Sequence, residues 1–387
     1  MIARERSISS EQPTPADLDY FKVGERGLLP AVDPATALPK KFAFLDEYAV
    51  HLPNLLENHN LRREMDHLKP FDISGFHGAA LHRGNMITAY LASGYVHQIG
   101  EERATRLPEG IANPLYEITK RIGKNHPILS YDGYGLGNWR KKDPNGPLEI
   151  ENLDTLLTFT NLPDERWFIL IHSEIEAEAA PAVQALQSLQ EAALWGNDHG
   201  VENHLQTIRN ATLEMVTTLR RMPEGNSPEQ YATGFRPYIQ GFDGVAYEGV
   251  QEYNGEPQFL RGETGAQSSI MPALDIALGV EHDPENIMAR HLKEMKEYMP
   301  RRHQEFLQQL QKRPSVRGYI KKSGSKILQE LYNDILDNQA KFRTQHLEFA
   351  KTYILNKVGD TLGTGRTEYP VFLANMRDKT YETKIAR

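Results

Sequence analysis

The sequence predicts an all-α protein with a large helical domain over residues 146–387, a smaller helical domain over 41–145 and an N-terminal arm over 1–40. Three observations carry that prediction. Apolar residues recur at intervals of three and four over most of the chain, the period of one helix face. Alternating or β-branched runs that would mark strands are few. Proline and glycine gather in three places, 1–40, 126–147 and 223–268, and leave long stretches between them for helices.

In chain order, Pro13, Pro15, Pro30, Pro34 and Pro39 are too close together for a long helix, so the first 40 residues read as an arm on the surface. Helical spacing marks 42–68 and then 81–100, where Met86, Ala89, Tyr90, Tyr95, Val96 and Ile99 carry the pattern. Pro108 and Pro114 bracket a turn, and 115–122 is a short helix. Residues 126–139 form an aromatic loop punctuated by Gly133, Gly135 and Gly137, which allow close backbone approach. Asp143-Pro144-Asn145-Gly146-Pro147 reads as a turn and hinge. Beyond it, 151–160, 165–195, 199–221, 269–280, 284–297, 301–312 and 325–356 read as helices. Pro163, Asp164 and Glu165 open the second of these, with carboxylates set against the positive end of the helix dipole. The segment 223–268 is irregular and too long for a plain connector.

Composition narrows the function. The 52 acidic residues outnumber the 44 basic ones, the formal charge is −8 and no long basic run occurs, which argues against nucleic acid or an anionic membrane as partner. The chain has no run of 18 apolar residues and starts with the polar stretch Met1 to Ser7, so neither a spanning helix nor a standard export signal is expected. The lack of cysteine excludes disulfides, thiolate metal sites and a cysteine nucleophile, and suits a reducing compartment, so cytoplasm is the expected location.

Two of the fourteen histidines fall on apolar helix faces. Phe342, His346, Phe349, Ala350 and Tyr353 share one stripe, and Phe168, His172, Ile175 and Ala179 share another. A lone histidine on such a face is most often a hydrogen-bonded core residue. Two of them facing inward also suit an iron porphyrin held between helices, because neutral imidazole is a good axial ligand and the porphyrin needs apolar walls. Both readings stand at this point. His199 and His204 are five residues apart and do not share a helix face, so they are not read as a zinc pair.

In the irregular segment, Arg236 lies among Phe235, Tyr238 and Phe242. It reads either as a cation–π or ion-pair strut or as a bidentate clamp for a carboxylate. The small-residue loop 261–269 runs into a helix and suits a flat cofactor, although it lacks the lysine of a P-loop.

Several separated blocks, in one order, make the chain resemble the indoleamine 2,3-dioxygenase family, haem enzymes that oxidise tryptophan. They are 131–144 with Asn138-Trp139-Arg140-Lys141-Lys142-Asp143-Pro144; 168–183; 236–248; 262–278; Tyr298-Met299-Pro300 followed by Pro314-Ser315-Val316-Arg317; 343–346; and Gly363-Thr364-Gly365-Arg366-Thr367. The resemblance runs over about 81–377 and implies one haem b, bound in the large domain, with His346 as the proximal iron ligand. It further implies an Arg343–Asp275 pair on the propionate side, with Thr264, Gly265 and Ala266 over the distal face. Arg236 matches the arginine that holds the substrate carboxylate. Thr364 matches the residue that meets the amino group and a propionate, and Phe168 and Tyr131 match walls around the indole.

The chain departs from the family pattern at a few positions. His172 stands where the family commonly has serine and resembles the distal histidine of the tryptophan 2,3-dioxygenase branch, as in a bacterial-type member. There it can accept a hydrogen bond from the indole N–H, which penalises analogues lacking that group, or ligate the iron at rest. Tyr231 and Ala232 stand where two phenylalanines are frequent, Tyr134 replaces a smaller pocket residue, and Arg366 adds a charge where glycine is usual. The implied reaction inserts O2 across the indole C2–C3 bond of L-tryptophan to give N-formylkynurenine, in tryptophan catabolism by the kynurenine pathway, with His172 and Arg236 as catalytic residues. Two alternatives remain: a related reaction on a modified tryptophan or other indole in secondary metabolism, and a haem-binding sensor or store without turnover. The sequence does not fix the oligomeric state.

Overall fold

The computed structural model describes residues 15–282, 287–364 and 368–386, so Arg366 and the start of the arm lie outside the described residues. Helices carry the fold, as the apolar periodicity predicts. A short helix α1 (Pro15–Tyr20) is followed by α2 (Ala43–Glu57), α3 (Leu61–His67), α4 (Gly78–Val96) and α5 (Glu109–Ile122), with the two-residue strand β1 (Arg106–Leu107) before the last. α5 is longer than the predicted 115–122 and runs through Pro114. The buried Ile111, Leu115 and Ile118 on its inner face supply packing that outweighs the hydrogen bond proline removes.

The helix predicted at 151–160 does not form. After β2 (Arg140–Lys141) the chain makes a 3₁₀ turn at Ile150–Asn152 and enters β3 (Leu153–Asp154), which pairs antiparallel with β2. Side chains from elsewhere take the backbone N–H groups that a helix would use. Asn138 Oδ1 accepts from Leu156 N at 3.1 Å and Leu157 N at 2.8 Å, while the Glu165 carboxylate accepts from Phe159 N and Thr160 N, each at 2.8 Å. The stretch predicted as one helix at 165–195 is two, α6 (Pro163–Glu178) and α7 (Ala180–Leu194), which meet at Ala179 because Pro181 has no N–H to continue the ladder.

Then come α8 (Asp198–Arg220), capped by the Asn197 side chain, and the single turn α9 (Met222–Gly225). The irregular segment resolves into a π-helical turn at Gln230–Phe235, a 3₁₀ turn at Arg236–Ile239, and strands β4 (Phe242–Tyr247) and β5 (Gln258–Leu260). β4 lies at the centre of a small sheet, parallel to β1 and antiparallel to β5. The chain ends with α10 (Ile270–Leu278), α11 (Ile287–Lys296), α12 (Arg301–Gln311), α13 (Val316–Ser323), α14 (Lys326–Ala350), α15 (Asn356–Val358) and α16 (Tyr369–Glu382), with a π turn at Lys351–Leu355 after α14.

Two large hydrophobic cores form among the described residues, beside a small cluster of Leu29, Tyr131 and Leu136. One is built by α2 to α5 with Leu52, Leu91 and Leu115, and it also takes Tyr238, Phe242 and Val245 from beyond residue 145. The other is built by α6 to α8 and the C-terminal helices, with Leu186, Leu205, Leu274 and Leu336, and Phe21, Val23 and Leu28 of the arm pack into it. α6 lies at the junction, since Ile169 joins the first core and Ile171 the second. α8 packs against α6, α7 and α14, and α14 packs in turn against α16. Among the described residues no helix is long and apolar enough to cross a membrane.

One backbone crossing fixes the course of the loop before α10. Glu263 N donates to Ile239 O at 3.0 Å, and a Cβ on Gly262 would stand 2.4 Å from Ile239 O and 2.5 Å from Gly241 N. Gly262→Ala should therefore cost roughly 1–3 kcal/mol by overpacking. Gly265→Ala, whose added carbon would meet nothing within 4 Å, should stay within about 0.5 kcal/mol of the parent. Urea denaturation of the two variants checks the contrast.

His303 on α12 is 5 % exposed and its Nδ1 has no hydrogen-bond partner among the described residues. Burial pushes its pKa down from 6.5 to about 4, against a weaker opposing pull from Asp132. The unfolded chain therefore takes up the proton first. Stability is complete above about pH 6.5 and is lost as pH falls toward 4, by up to ~3 kcal/mol. His303→Leu should lose less stability than the parent across that window, as read from denaturation midpoints at several pH values.

Candidate active site

α6, α8, α10, α14 and α16, together with the loop before α10, enclose a cavity of about 630 Å³, within the ~300–1,000 Å³ usual for small-molecule and cofactor sites. The stripe on α14 faces it: Phe342, His346, Phe349, Ala350 and Tyr353 all line the wall. His346 is surrounded by protein yet its imidazole is not covered by it, so the ring's free surface is cavity wall and not outer surface. Its pKa is pushed down to about 4, first by burial and then by the neighbouring His172. The ring is thus neutral near pH 7. No described residue hydrogen-bonds it.

His172 lines the same cavity from α6. Its Nδ1 lies 2.8 Å from Phe168 O. A carbonyl only accepts, so Nδ1 carries the proton and Nε2 keeps a lone pair. Burial lowers the pKa of this ring too, although the bond to Phe168 O opposes the shift. Phe168 packs on the imidazole with centroids 4.5 Å apart, and Tyr131 meets it edge-on at 5.9 Å. Tyr231 lies 5.1 Å from Phe168 and 5.8 Å from Tyr353, which extends the aromatic wall. Tyr134, expected in the pocket, is one layer back. It packs behind Phe168 at 6.2 Å and stacks on Tyr90 at 5.9 Å, because the turn at 132–136 directs it into the first core.

The loop before α10 supplies Thr264, Gly265 and Ala266 to the wall. Gln267 holds it in place, accepting from Tyr131 N and donating to Gly262 O, each at 2.9 Å. Arg343 and Asp275 also line the cavity and form a buried ion pair of 2.7 Å. Gln339 Nε2 donates to the same carboxylate at 3.2 Å, and His282 Nε2 lies 3.1 Å from it. Burial pushes the Asp275 carboxyl up, but Arg343 and His282 more than offset that and hold it below its ordinary value. Arg343 also donates to the Thr380 hydroxyl and to Met376 O, which ties α14 to α16.

Arg236 is buried beside the cavity and is not part of its wall. Its Nη2 donates to Asp360 Oδ2 at 2.9 Å and to Leu362 O at 2.8 Å. The guanidinium thus holds a carboxylate of its own chain, which is the strut reading of this residue. The segment 360–364 also brings Thr364 to the cavity, where its hydroxyl donates to Glu263 O.

Two acidic residues in the wall were not anticipated from the sequence. Glu176 accepts from Ser268 Oγ at 2.7 Å, and burial pushes its pKa up to about 7 against the Ser268 and Tyr131 hydroxyls. Glu263 is pushed up to about 8 by burial alone. Glu176 follows His172 by four residues on α6, a spacing that places them on one face, so its position was open to reading; nothing local marks Glu263. Met215 and Leu219 of α8 and Phe372 and Met376 of α16 also line the cavity, and their i, i+4 spacing is indistinguishable from that of a solid core.

These residues fit a haem. A neutral imidazole without a hydrogen-bond partner faces a cavity of suitable size with largely apolar walls, and no described cluster of three or more metal-ligating side chains competes for that role. A sequence profile described as "Indoleamine 2,3-dioxygenase" matches residues 17–360. Indoleamine 2,3-dioxygenase 2 of Homo sapiens is 30% identical over 95% of this chain and 96% of its own. Indoleamine 2,3-dioxygenase 1 of Rattus norvegicus is 31% identical over 98% of each. A Haliotis madaka protein named myoglobin is 28% identical over 89% of this chain and 92% of its own. Matched from the arm to the segment that holds Arg236, this chain belongs to the indoleamine 2,3-dioxygenase family and is an oxidoreductase of its haem-dependent dioxygenase type.

Proposed function

We propose that the protein inserts O2 across the C2–C3 bond of L-tryptophan to give N-formylkynurenine, with haem b held by His346 in the cavity between α6 and α14. The observation that carries this reading is the pairing across that cavity of a partnerless neutral imidazole with a second histidine whose free Nε2 faces inward. On this reading residues 146–387 form the haem domain. The reaction assigns the protein to tryptophan catabolism through the kynurenine pathway, and the cysteine-free chain suits the cytoplasm.

When bound, haem supplies the redox-active iron at which O2 reacts. His346 would hold that iron through a ring nitrogen that burial keeps unprotonated. The Arg343–Asp275 pair would hold a propionate, and Thr264, Gly265 and Ala266 would lie against the porphyrin. Phe168, Tyr131 and Tyr231 give the indole flat walls and exclude water. His172 accepts the indole N–H at Nε2, which fixes the edge of the ring presented for reaction. Arg236 takes the substrate carboxylate by releasing Asp360, an exchange of one carboxylate for another that leaves no buried charge unpaired. Thr364 meets the amino group from the same segment.

A second reading, haem binding without turnover, is favoured by the same Nε2, whose lone pair could serve as a second ligand to the iron, and by the myoglobin among the relatives.

Ferrous, haem-loaded protein mixed with L-tryptophan and O2 should form N-formylkynurenine over many turnovers, followed by its near-ultraviolet absorption. His346→Ala should lose both bound haem and product; a variant that retains a normal haem spectrum and activity rules out the assignment. Haem binding without product from tryptophan or its D, halogenated and N-methyl analogues supports the second reading.

His172 is tested by the pair L-tryptophan and 1-methyl-tryptophan. Loss of the indole N–H leaves Nε2 unpaired, so the parent should bind the methylated compound roughly ten- to hundredfold more weakly. In His172→Ala that difference should vanish while haem stays bound. Equal discrimination in both proteins removes His172 from indole recognition.

A further inference from the structure

Glu263 is 3 % exposed, faces the cavity, and has neither a hydrogen-bond partner for its carboxyl nor an ion pair among the described residues. A buried carboxyl left in that state is costly, and native structures rarely keep one without a use. Arg236 is buried as well, and its Nε lacks an acceptor among the described residues. The charges of both residues bear on the Tyr231 hydroxyl, Arg236 lowering its pKa and Glu263 raising it. Backbone links hold the arrangement. Glu263 N is tied to Ile239 O in the turn that carries Arg236, and Glu263 O receives the Thr364 hydroxyl from the segment whose Asp360 and Leu362 bind Arg236.

We infer that Glu263 binds the α-ammonium of a zwitterionic substrate whose carboxylate goes to Arg236, so that the two side chains select an α-amino acid. The inference rests on the proposed indole amino-acid substrate and names the chain's own partner for its cationic end. Binding moves one proton. The carboxyl, protonated near neutral pH because burial raises its pKa to about 8, ionises beside the ammonium and releases its proton to solvent. The groups whose charge couples to it are the hydroxyls of Tyr90 from α4, Tyr131 and Tyr134 from the turn after α5, and Tyr231. None of these is cationic at neutral pH, and the nearby Arg236 is already paired with Asp360. An incoming ammonium is then the charge that balances it.

The test compares three ligands on the haem-loaded protein by spectral titration: L-tryptophan, tryptamine, which lacks the carboxylate, and indole-3-propionate, which lacks the ammonium. Glu263→Gln keeps the shape and removes the charge. It should weaken L-tryptophan and tryptamine roughly ten- to hundredfold and leave indole-3-propionate unchanged. Loss of affinity for all three alike, or for none, overturns the inference while leaving an indole substrate in place. Failure of the parent protein to bind any of the three overturns the indole reading and this inference together. Infrared difference spectra of the parent provide a check that needs no variant. L-tryptophan should bleach a protonated-carboxyl band that indole-3-propionate leaves intact, and an equal response to both ligands counts against Glu263.

Discussion

The buried ion pair between Arg343 and Asp275 is the fixed point around which the cavity is built. Helical interiors close up around voids, because an unfilled space forfeits the contacts its lining atoms would otherwise make. Here α10, α14 and α16 meet at one charged knot: Asp275 comes from α10, Arg343 from α14, and Arg343 reaches Thr380 and Met376 of α16. Removing one member of such a pair leaves a buried charge uncompensated, at a cost of about 3–5 kcal/mol. The knot thus sets the spacing of the helices, and their apolar faces become walls of a hollow where ordinary packing would have made them a core.

That distinction explains what was legible in the sequence. The stripe of Phe342, His346, Phe349, Ala350 and Tyr353 was readable because a helical period is a local property, and the structure turns all five to one place. Periodicity does not say whether a buried face meets other side chains or an open space, so Met215, Leu219, Phe372 and Met376 looked like core. The helix expected at 151–160 fails for a related reason. Asn138 and Glu165 satisfy its backbone N–H groups, and Asn138 lies 18 and 19 residues from the amides it holds. Arg236 and Asp360 are 124 residues apart, so the sequence offered two readings of the arginine and no sign of its partner.

Glu263 is hidden in the sequence for a different reason. Small residues mark its loop, and a carboxylate in a loop is ordinarily solvated. Only the crossing of Gly262 over Ile239 and Gly241 carries it inside. Tyr134 is the converse case. An aromatic residue in a glycine-rich loop looked like a pocket wall, but its turn stacks it with Tyr90 and Phe159 behind Phe168.

The protonation states of the cavity groups make one environment of these parts. Burial lowers the pKa values of His172 and His346 and raises those of Glu176 and Glu263, so near neutral pH the two imidazoles are uncharged and burial favours the protonated carboxyls. The Arg343–Asp275 pair balances itself. The wall around the two histidines therefore carries little charge, which suits a flat apolar cofactor and an indole, while Lys293 and Lys296 line the cavity elsewhere. In such a medium an entering charge is screened weakly and is held wherever an opposite charge can form. Near Tyr231 the charges of Arg236 and Glu263 bear on one hydroxyl, so both signs are available there. An amino acid entering the cavity is thereby oriented by its own zwitterion, with its side chain directed toward the aromatic wall and the two histidines.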